Sequence, residues 1–277
     1  MRKLAGLLTA VFAVAMPAMA FADAAGSALG VDPAADATLN NENRTLVVGS
    51  DILIGDLVKT GPRGQVQILF ADNTELVVGP SSALTIEDYL IRNDGSAGKL
   101  AVDMLSGAFR FATGDSAKNR YVISTPTGTI GVRGTEFDVK VARPNEPNPG
   151  ATWILLNEGA VEFCNLARIC DVIDTFCDVG HMTTADSEVI GDSRKTKGEL
   201  RKQLQLDFIY AMNQSPLLRQ FWFRQVRDCL NKDPDSVPDP LFPDDTDPGP
   251  VDPNSPNNPK PPTPPPGRTT PPPVIIN

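Results

Sequence analysis

Few side chains in this sequence could take part in covalent catalysis. His181 is the only histidine, and no G-x-S-x-G motif occurs, so a Ser-His-Asp hydrolase has no recognisable nucleophile. Two of the 34 acidic residues could face each other across a groove and hydrolyse glycosidic bonds, but the sequence does not reveal which two. We therefore expect no enzymatic activity and assign no catalytic residue. A carboxylate-dependent hydrolase of envelope glycans stays as an alternative.

A glycine series is the other pattern that could hold a ligand. Gly128, Gly131 and Gly134 recur at every third position, yet they lack the G-x-G-x-x-G spacing and the Gly-Lys-Ser/Thr ending of phosphate loops. No helical pattern follows them to supply a dipole. The aspartates near the C-terminus also lack the spacing of a calcium loop. The sequence thus predicts no cofactor and no metal site.

Four cysteines could form disulfides or bind zinc. Their spacings, C-x5-C and C-x6-C for the first three, differ from the C-x2-4-C pairs of structural zinc sites. We therefore predict two disulfides. A short hairpin would place Cys164 opposite Cys170, which leaves Cys177 to pair with Cys229. A bridge between Cys170 and Cys177 is nearly as local and remains open.

The N-terminal residues 1–22 have the three regions of a secretory signal peptide. Arg2 and Lys3 precede an apolar run over 4–16, and small residues follow it. The run is shorter than the ~20 residues that span a bilayer, which argues against an uncleaved anchor. We predict cleavage after Ala22, or alternatively after Ala20, and export to the periplasm or cell envelope. No later segment is long and apolar enough to cross a membrane.

The charge of the chain limits its partners. The full chain carries 25 basic and 34 acidic residues, a net charge of −9. Removal of residues 1–22 takes away two cations and no anion, so the mature chain carries −11. Nucleic acid is not an expected partner, because binding to phosphate backbones depends on clustered Lys and Arg. Anionic membrane surfaces are disfavoured for the same reason.

The middle of the chain has the pattern of a β domain. Residues 23–44 are rich in Ala, Asp and Gly and are expected to form a flexible leader. Residues 45–190 contain short β-type runs separated by turn residues, with no amphipathic helix between them. The runs lie at 46–48, 66–70, 76–78, 100–104, 109–111, 121–124, 137–141, 153–156 and 161–163. Asp72-Asn73 is predicted to form a tight turn, and the stretch 93–96 to begin a longer loop.

Alternation within two of these runs predicts which side chains are buried. Strands with one buried face show apolar and polar residues in turn. The residues expected in the core are Val66, Ile68, Phe70, Phe137, Val139 and Val141. The residues expected to face solvent are Gln65, Gln67, Asp138 and Lys140.

Two helices are predicted to form a cap over residues 195–231. Leu200, Leu204 and Phe208 recur every four residues, which predicts a helix over about 196–213. Ser215-Pro216 is typical of a helix start and predicts a second helix over 216–231. Their apolar stripes are expected to pack on the β domain, because an exposed stripe would favour aggregation.

The C-terminal segment 232–277 is expected to be disordered. Seventeen of the 26 prolines fall in the last 47 residues, together with seven aspartates. Such a composition cannot build a core and favours extended polyproline II. It could serve as a spacer, as a solubilising tail or as a ligand for an aromatic groove.

The stretch 124–139 carries the most specific signal. It reads Ser-Thr-Pro-Thr-Gly-Thr-Ile-Gly-Val-Arg-Gly-Thr-Glu-Phe-Asp-Val and resembles the signature of the FecR domain family. The residues that match the signature are Thr125, Pro126, Gly128, Val132, Arg133, Gly134, Thr135, Glu136 and Phe137. The resemblance spans about 50–165, from the turns at 55–56 and 60–61 through the hairpin at 70–74 to the turn at 158–161.

The resemblance implies a mainly β fold: an antiparallel-rich β sandwich or a short solenoid-like domain, here with a small C-terminal two-helix cap and a disordered Pro-rich tail. Asn73 stands where the family usually has Gly, a mild change because Asn also tolerates positive φ. Founding members control a sigma factor through a cytoplasmic segment that precedes one membrane helix and the FecR domain. Here a signal peptide occupies that place, so direct control of a sigma factor is not expected.

Arg133 and Glu136 offer opposite charges on the flanks of the glycine-rich turn. Buried together, they would form a bidentate pair that fixes two strands in register, whereas exposed they would contact a ligand. We favour the structural role, because a domain of many hairpins needs a register lock. The family motif as a whole is therefore interpreted as structural.

The sequence thus predicts a non-enzymatic FecR-domain protein of the periplasm or envelope. It would act as a binding, sensing or interaction module whose partner is an envelope protein or a cell-wall polymer. An alternative is a structural spacer that works through the proline-rich tail. At ~3.1 Å per residue such a tail would reach on the order of 100 Å or more.

Overall fold

The computed structural model describes residues 24–91, 97–115, 121–132 and 134–230. The predicted signal peptide, the loop at 93–96, Arg133 and the segment 232–277 therefore lie outside the described residues. Within the described ranges the fold is mainly β with antiparallel-rich pairing and a few short helices, as the sequence predicted. No helix in these ranges is long and apolar enough to span a bilayer.

Seventeen strands make up the described part of the β domain. In the first half they are β1 Ala24–Asp32, β2 Ala35–Leu39, β3 Glu42–Leu46, β4 Asp51–Leu53, β5 Leu57–Thr60, β6 Gln65–Phe70, β7 Glu75–Val78 and β8 Ala83–Ile91. The long β9, Ala97–Ala112, follows. The second half contains β10 Tyr121–Thr125, β11 Gly128–Val132, β12 Glu136–Val141, β13 Thr152–Glu158, β14 Val161–Asn165, β15 Cys170–Ile173, β16 Asp178–Met182 and β17 Ser187–Asp192.

These strands form two sheets that share β9. Sheet A runs in the order β4, β1, β6, β7, β9, β12, β13, β16, β17. Sheet B runs β3, β2, β5, β8, β9, β10, β11, β14, β15. Among the described strands, every pairing is antiparallel except that of β9 with β10.

Gly107 lies where β9 passes from sheet B to sheet A. Its φ is +111°, and a Cβ atom there would come within 2.1 Å of the Ser82 Oγ. Ser82 Oγ instead accepts a hydrogen bond from the Ala108 backbone N–H at 3.0 Å. Only glycine permits this close approach at such a backbone angle, so the sheet-to-sheet transition depends on it.

The apolar core lies between the two sheets. Val66, Ile68 and Phe70 of β6 and Phe137 and Val139 of β12 are almost fully buried there. The apolar half of the predicted alternation is thus confirmed. The run at 46–48 was predicted wrongly beyond its first residue, because Val47 and Val48 enter a turn and are 62% and 66% exposed.

Residues 24–46 are not a flexible leader. They form β1, β2 and β3, and β1 pairs with both β4 and β6. A Cβ on Gly26 would lie 2.5 Å from the Leu69 carbonyl oxygen, so this strand packs closely through its small residues. Ala25 and Ala28 are fully buried. The sequence prediction was wrong because small residues give a weak hydrophobic signal even where they are buried.

The C-terminal part of the described chain is less regular than two helices. It contains α1 Gly198–Asp207, α2 Ile209–Met212 and α3 Arg227–Leu230, with 3-10 turns at Ser193–Lys195 and Arg219–Phe221. The first predicted helix breaks at Phe208, and most of 216–226 is irregular. We call residues 198–230 the cap. It packs on the β domain as predicted, and its irregularity follows from contacts with the sheet that are described below.

The cap covers the outer face of sheet A. Gln65, Gln67, Asp138 and Lys140 were expected to face solvent, but each is at most 8% exposed. This half of the alternation prediction was wrong, because a distant part of the chain lies over the polar face of the strands. The predicted tight turn after β6 is present, with Asn73 at a φ of 62°.

Candidate functional site: the FecR motif and the capped face of sheet A

The family motif runs through the hairpin of β10 and β11 and into β12. Val132 and Phe137 are buried, Phe137 fully, and Gly128 leaves no room for a Cβ beside the Cys164 carbonyl oxygen at 2.1 Å. Gly134 adopts a φ of 64°. Thr135 is buried, whereas Pro126 is exposed. The burial of these positions agrees with the structural role expected for the motif, which stays a prediction.

Three threonine hydroxyls tie the motif turn to the neighbouring strand. The Thr127 and Thr152 hydroxyls lie 2.9 Å apart, and the Thr152 hydroxyl donates to the Thr125 Oγ1 at 3.0 Å. The Thr127 hydroxyl also donates to the Gly150 carbonyl oxygen at 3.1 Å. All three threonines are at most 7% exposed. A buried hydroxyl network of this kind fixes the turn, because each group would lose its partner if the turn moved.

The predicted pairing of Arg133 with Glu136 stays a prediction, because Arg133 lies outside the described residues. Glu136 accepts a hydrogen bond from Asn157 Nδ2 at 2.6 Å. Burial, offset in part by that hydrogen bond, raises the pKa of the Glu136 carboxyl. A bidentate ion pair does cross sheet A, but it is formed by residues that the sequence did not single out.

That ion pair joins Arg110 of β9 to Asp138 of β12. Arg110 Nε lies 2.7 Å from Asp138 Oδ1, and its Nη2 lies 2.8 Å from Oδ2. Both residues are at most 2% exposed. They are register partners on adjacent strands. This bidentate pair fixes the register of β9 and β12. The same role for Arg133 and Glu136 stays a prediction.

The cap supplies the other contacts of the Arg110 guanidinium described here. Its Nη1 donates to Gln214 Oε1, and the guanidinium carbon lies 4.1 Å from the centre of the Phe223 ring. Gln214 Oε1 also accepts from the Phe223 backbone N–H at 2.8 Å. Arg110 therefore holds the irregular segment 213–223 against sheet A. The short-range signals in the sequence could not reveal this contact, which joins residues 104 positions apart.

Two glutamines of β6 hold the other end of the cap. Gln65 Nε2 donates to the Pro216 carbonyl oxygen at 2.8 Å, and Gln65 Oε1 accepts from the Tyr210 hydroxyl at 3.2 Å. Gln67 Oε1 accepts from the Leu218 backbone N–H at 2.7 Å. Burial raises the pKa of Tyr210, so its hydroxyl stays protonated and can donate. These side chains replace the backbone hydrogen bonds that a regular helix would make over 216–218.

A charged network flanks the cap near α1. Lys140 Nζ lies 2.8 Å from Glu146 Oε2 and 3.8 Å from Asp207 Oδ1. The Arg143 backbone N–H donates to Glu146 Oε2 at 2.8 Å. Burial alone would raise the pKa of Glu146, but the hydrogen bonds from Lys140 and Arg143 lower it to about 2. Asp207 differs, since its burial raises its pKa.

The four cysteines form two disulfides, Cys164–Cys170 and Cys177–Cys229. Cys164 and Cys170 are register partners on β14 and β15, as the short hairpin predicted. Cys177 and Cys229 are both fully buried, and they link the β domain to α3 across 52 positions. The cap is thus fastened covalently at its C-terminal end.

The remaining candidate chemistry is sparse. His181 stacks on Trp153 at 4.0 Å between ring centres, and its Nδ1 lies 3.1 Å from Glu188 Oε1. No hydroxyl or thiol nucleophile contacts it among the interactions of the described residues. Across residues 24–230, as far as they are described, no three His, Cys, Asp or Glu side chains gather as a metal site.

Comparison with known proteins agrees with the β-rich fold and with the motif described above. Residues 56–162 match the family model described as FecR protein. The resemblance to the FecR family that the motif at 124–139 predicted is therefore confirmed over these residues. No curated protein matches the sequence.

Several solved structures resemble parts of the chain. Two crystal structures of a candidate anti-sigma factor from Parabacteroides distasonis align with 54% of this chain at 13% identity and a TM-score of 0.39. The alignments span 64% and 63% of those chains, which is less than two thirds of their length. A cell surface anchoring domain aligns with 22% of this chain and 82% of its own length, at 34% identity and a TM-score of 0.22. These TM-scores are too low to support an argument about function.

Proposed function

We propose that this protein is a non-enzymatic, exported binding or sensing module of the cell envelope that acts through its FecR domain. The observation that carries the proposal is the FecR match over 56–162. The buried positions of most described motif residues agree with a scaffold that presents a surface.

Accessibility supports one face of the domain as the binding surface. The cap covers the outer face of sheet A, whereas the outer face of sheet B carries exposed residues of β10, β11, β14 and β15. Val122 and Val172 are 40% and 52% exposed there. Between them lie Thr129 and Gly131, the exposed positions of the motif strand β11. Glu162 is exposed in the same row, between Gly131 and Val172. A surface of small, β-branched and acidic side chains suits a protein partner, and we propose that an envelope protein binds here.

The proposed location rests on the signal-peptide pattern and the two disulfides, which form in oxidising compartments. Intact-mass measurement of protein recovered from the envelope tests it. We expect a mature N-terminus at Asp23. A retained Met1 would contradict both the cleavage and the proposed periplasmic location.

A pull-down from envelope extracts tests the binding module against the spacer alternative. The mature chain and a variant that ends at residue 230 are compared side by side. The proposal predicts that both capture the same partner, because the binding surface lies in the FecR domain. If the variant without residues 231–277 no longer captures the partner, the alternative is favoured in which the proline-rich tail binds the partner or acts as a spacer. Release of reducing sugars from envelope glycans by either protein would instead support the hydrolase alternative.

A further inference from the structure

The two disulfides differ in their accessibility. Cys177 and Cys229 are fully buried where the cap packs on the β domain. Cys170 is exposed, and Cys164 is half-buried. Side chains alternate along a strand, and Phe163 points into the core, so the side chains of Cys164 and of its register partner Cys170 lie on the outer face of sheet B. Protein therefore encloses one bridge, whereas solvent reaches the other.

The accessible bridge joins the last two described strands of sheet B. Cys164 faces Thr129 of β11 on its other side, but beyond Cys170 no described strand continues the sheet. A thiolate that cleaves a disulfide attacks one sulfur in line with the bond that breaks, so access decides which sulfur reacts. Cys170 Sγ can be approached from outside the edge of the sheet, whereas an in-line approach to Cys164 Sγ would pass over β11. Cys170 is therefore the sulfur that an external thiolate reaches.

Exposed apolar side chains lie around this bridge. Leu166 and Ile169, in the turn between β14 and β15, are 65% and 44% exposed, and Val172 on the outer face of β15 is 52% exposed. Glu162 and Arg168 are exposed on the same hairpin, one charge of each sign. Exposed apolar groups gathered in one place favour contact with another protein. The surroundings of the bridge therefore suit a thiol that is carried by a protein.

The hairpin of β14 and β15 has other contacts that hold it when the bridge is open. The Asn165 backbone N–H donates to the Ile169 carbonyl oxygen at 2.9 Å, and Asn165 Oδ1 accepts from the Ile169 backbone N–H at 2.9 Å. The Leu166 backbone N–H donates to the Thr127 carbonyl oxygen at 3.0 Å. Ile173, at the end of β15, is fully buried in the core. Reduction of the bridge should therefore loosen the start of β15 without unfolding the domain.

We propose that the Cys164–Cys170 bridge is a site of reversible thiol–disulfide exchange with an external dithiol protein, whereas the Cys177–Cys229 bridge is structural. Exposed disulfides are more easily reduced than buried ones, and the regulatory disulfides are found among them. In the first step a thiolate of the dithiol protein attacks Cys170 Sγ and forms a mixed disulfide. The Sγ–Sγ bond breaks, and its electron pair leaves with Cys164 Sγ, which takes a proton from water.

The second thiolate of the dithiol protein completes the exchange. It attacks the sulfur of the first thiol in the mixed disulfide, and the electron pair of the broken bond leaves with Cys170 Sγ, which is also protonated. The dithiol is thus oxidised to a disulfide while the bridge is reduced to two thiols. The exchange would loosen the border of the face of sheet B that includes Thr129, the register partner of Cys164. Only this last consequence rests on the proposed function.

Timed reduction of the oxidised mature chain tests the proposal without any binding partner. The native chain is incubated with a reduced C-x-x-C oxidoreductase, and samples are blocked with an alkylating reagent and mapped by mass spectrometry. We expect Cys164 and Cys170 to be alkylated at least about tenfold faster than Cys177 and Cys229, because the cap must open before a thiolate reaches the buried bridge. The buried bridge is thus the matched control within the same molecule.

Three further measurements test the separate parts of the proposal. An oxidoreductase variant that keeps only its attacking cysteine should be trapped as a mixed disulfide on Cys170 and not on Cys164. Leu166→Ser should slow reduction by the oxidoreductase but leave reduction by glutathione unchanged, because only a protein thiol uses the apolar contact. Replacement of both Cys164 and Cys170 by Ser should give a folded chain in which amide hydrogen exchange is faster over 166–172 than in the oxidised chain and unchanged in β12 and β13.

Several results would overturn the proposal. The first is reduction of both bridges at the same rate, or resistance of both to the oxidoreductase. The second is a trapped adduct on Cys164, and the third is equal slowing of both reductants by Leu166→Ser. Unfolding of the variant that lacks Cys164 and Cys170 would also contradict the proposal, because the bridge would then be structural. All of these measurements use the purified chain, so a failure to capture an envelope partner would count against the proposed function alone.

Discussion

Replacement of Arg110 by Ala should detach the cap and destabilise the domain. It would leave the Asp138 carboxylate, which is 2% exposed, without its bidentate partner, and it would also remove one of the two donors to Gln214 Oε1. Removal of one partner from a buried ion pair costs about 3–5 kcal/mol, because the other charge stays buried. For a domain of this size each kcal/mol lowers the melting temperature by roughly 2–4 °C, so the expected decrease is about 6–20 °C. Circular dichroism melts under non-reducing conditions measure it.

An exposed pair of the same geometry supplies the control. Arg194 binds Asp192 through Nε at 2.8 Å and Nη2 at 2.9 Å, but its side chain is 43% exposed. Arg194→Ala should cost only about 0–1 kcal/mol, because water replaces the lost contact. Replacing Arg110 and Asp138 together by apolar residues should cost less than Arg110→Ala alone. The reasoning is refuted if the free energies of unfolding of the Arg110→Ala and Arg194→Ala variants differ by less than about 1 kcal/mol.

The other predictions concern separate parts of the fold. Replacing both Cys177 and Cys229 by Ala should lower the free energy of unfolding by about 4 kcal/mol, because the unfolded chain gains the entropy of an open loop of 52 positions. The cap should also become sensitive to limited proteolysis. Unchanged melting and digestion would contradict this prediction. Gly107→Ala should lower the free energy of unfolding by about 2–4 kcal/mol, because the new Cβ would clash with Ser82 at a positive φ. If chemical denaturation shows no loss of stability, the role of Gly107 where β9 passes between the sheets is contradicted. The pKa of Glu146 falls from 4.5 to about 2 on folding. Its ionised carboxylate should therefore add about 1–3 kcal/mol to the free energy of unfolding above pH 4.5, and this stabilisation should be lost as the pH falls toward 2. Glu146→Gln should remove that part of the acid sensitivity, and an identical pH profile for the variant would refute the assignment.

Much of the fold could be predicted from local patterns. Val66, Ile68 and Phe70 alternate with glutamines, and this period of two reports directly which side chains enter the core. Within the FecR motif, a Cβ on Gly128 would clash with the Cys164 carbonyl oxygen, and Gly134 has a positive φ that favours glycine. Hairpin spacing favoured the pairs Cys164–Cys170 and Cys177–Cys229 that the structure shows, although the sequence left a bridge between Cys170 and Cys177 open.

What the sequence could not predict depends on contacts between distant residues. Gln65 and Gln67 look like solvent-facing residues, and nothing near them in the sequence indicates that 216–218 covers them. Arg110 lies 28 positions from Asp138, so no helical or strand periodicity links the two. The strand β1 was missed because alanine and glycine give almost no hydrophobic signal, although the sheet uses their small size.

Photo-crosslinking in living cells tests the central claim most directly, that the exposed face of sheet B binds an envelope partner. A photoreactive amino acid is placed at Thr129, which is exposed on β11, and in a second strain at Glu199, which is exposed on the cap. We predict one dominant protein adduct at Thr129 that is absent at Glu199 and persists when residues 231–277 are removed. Equal adduct patterns at both positions, or no adduct at Thr129, would contradict the claim.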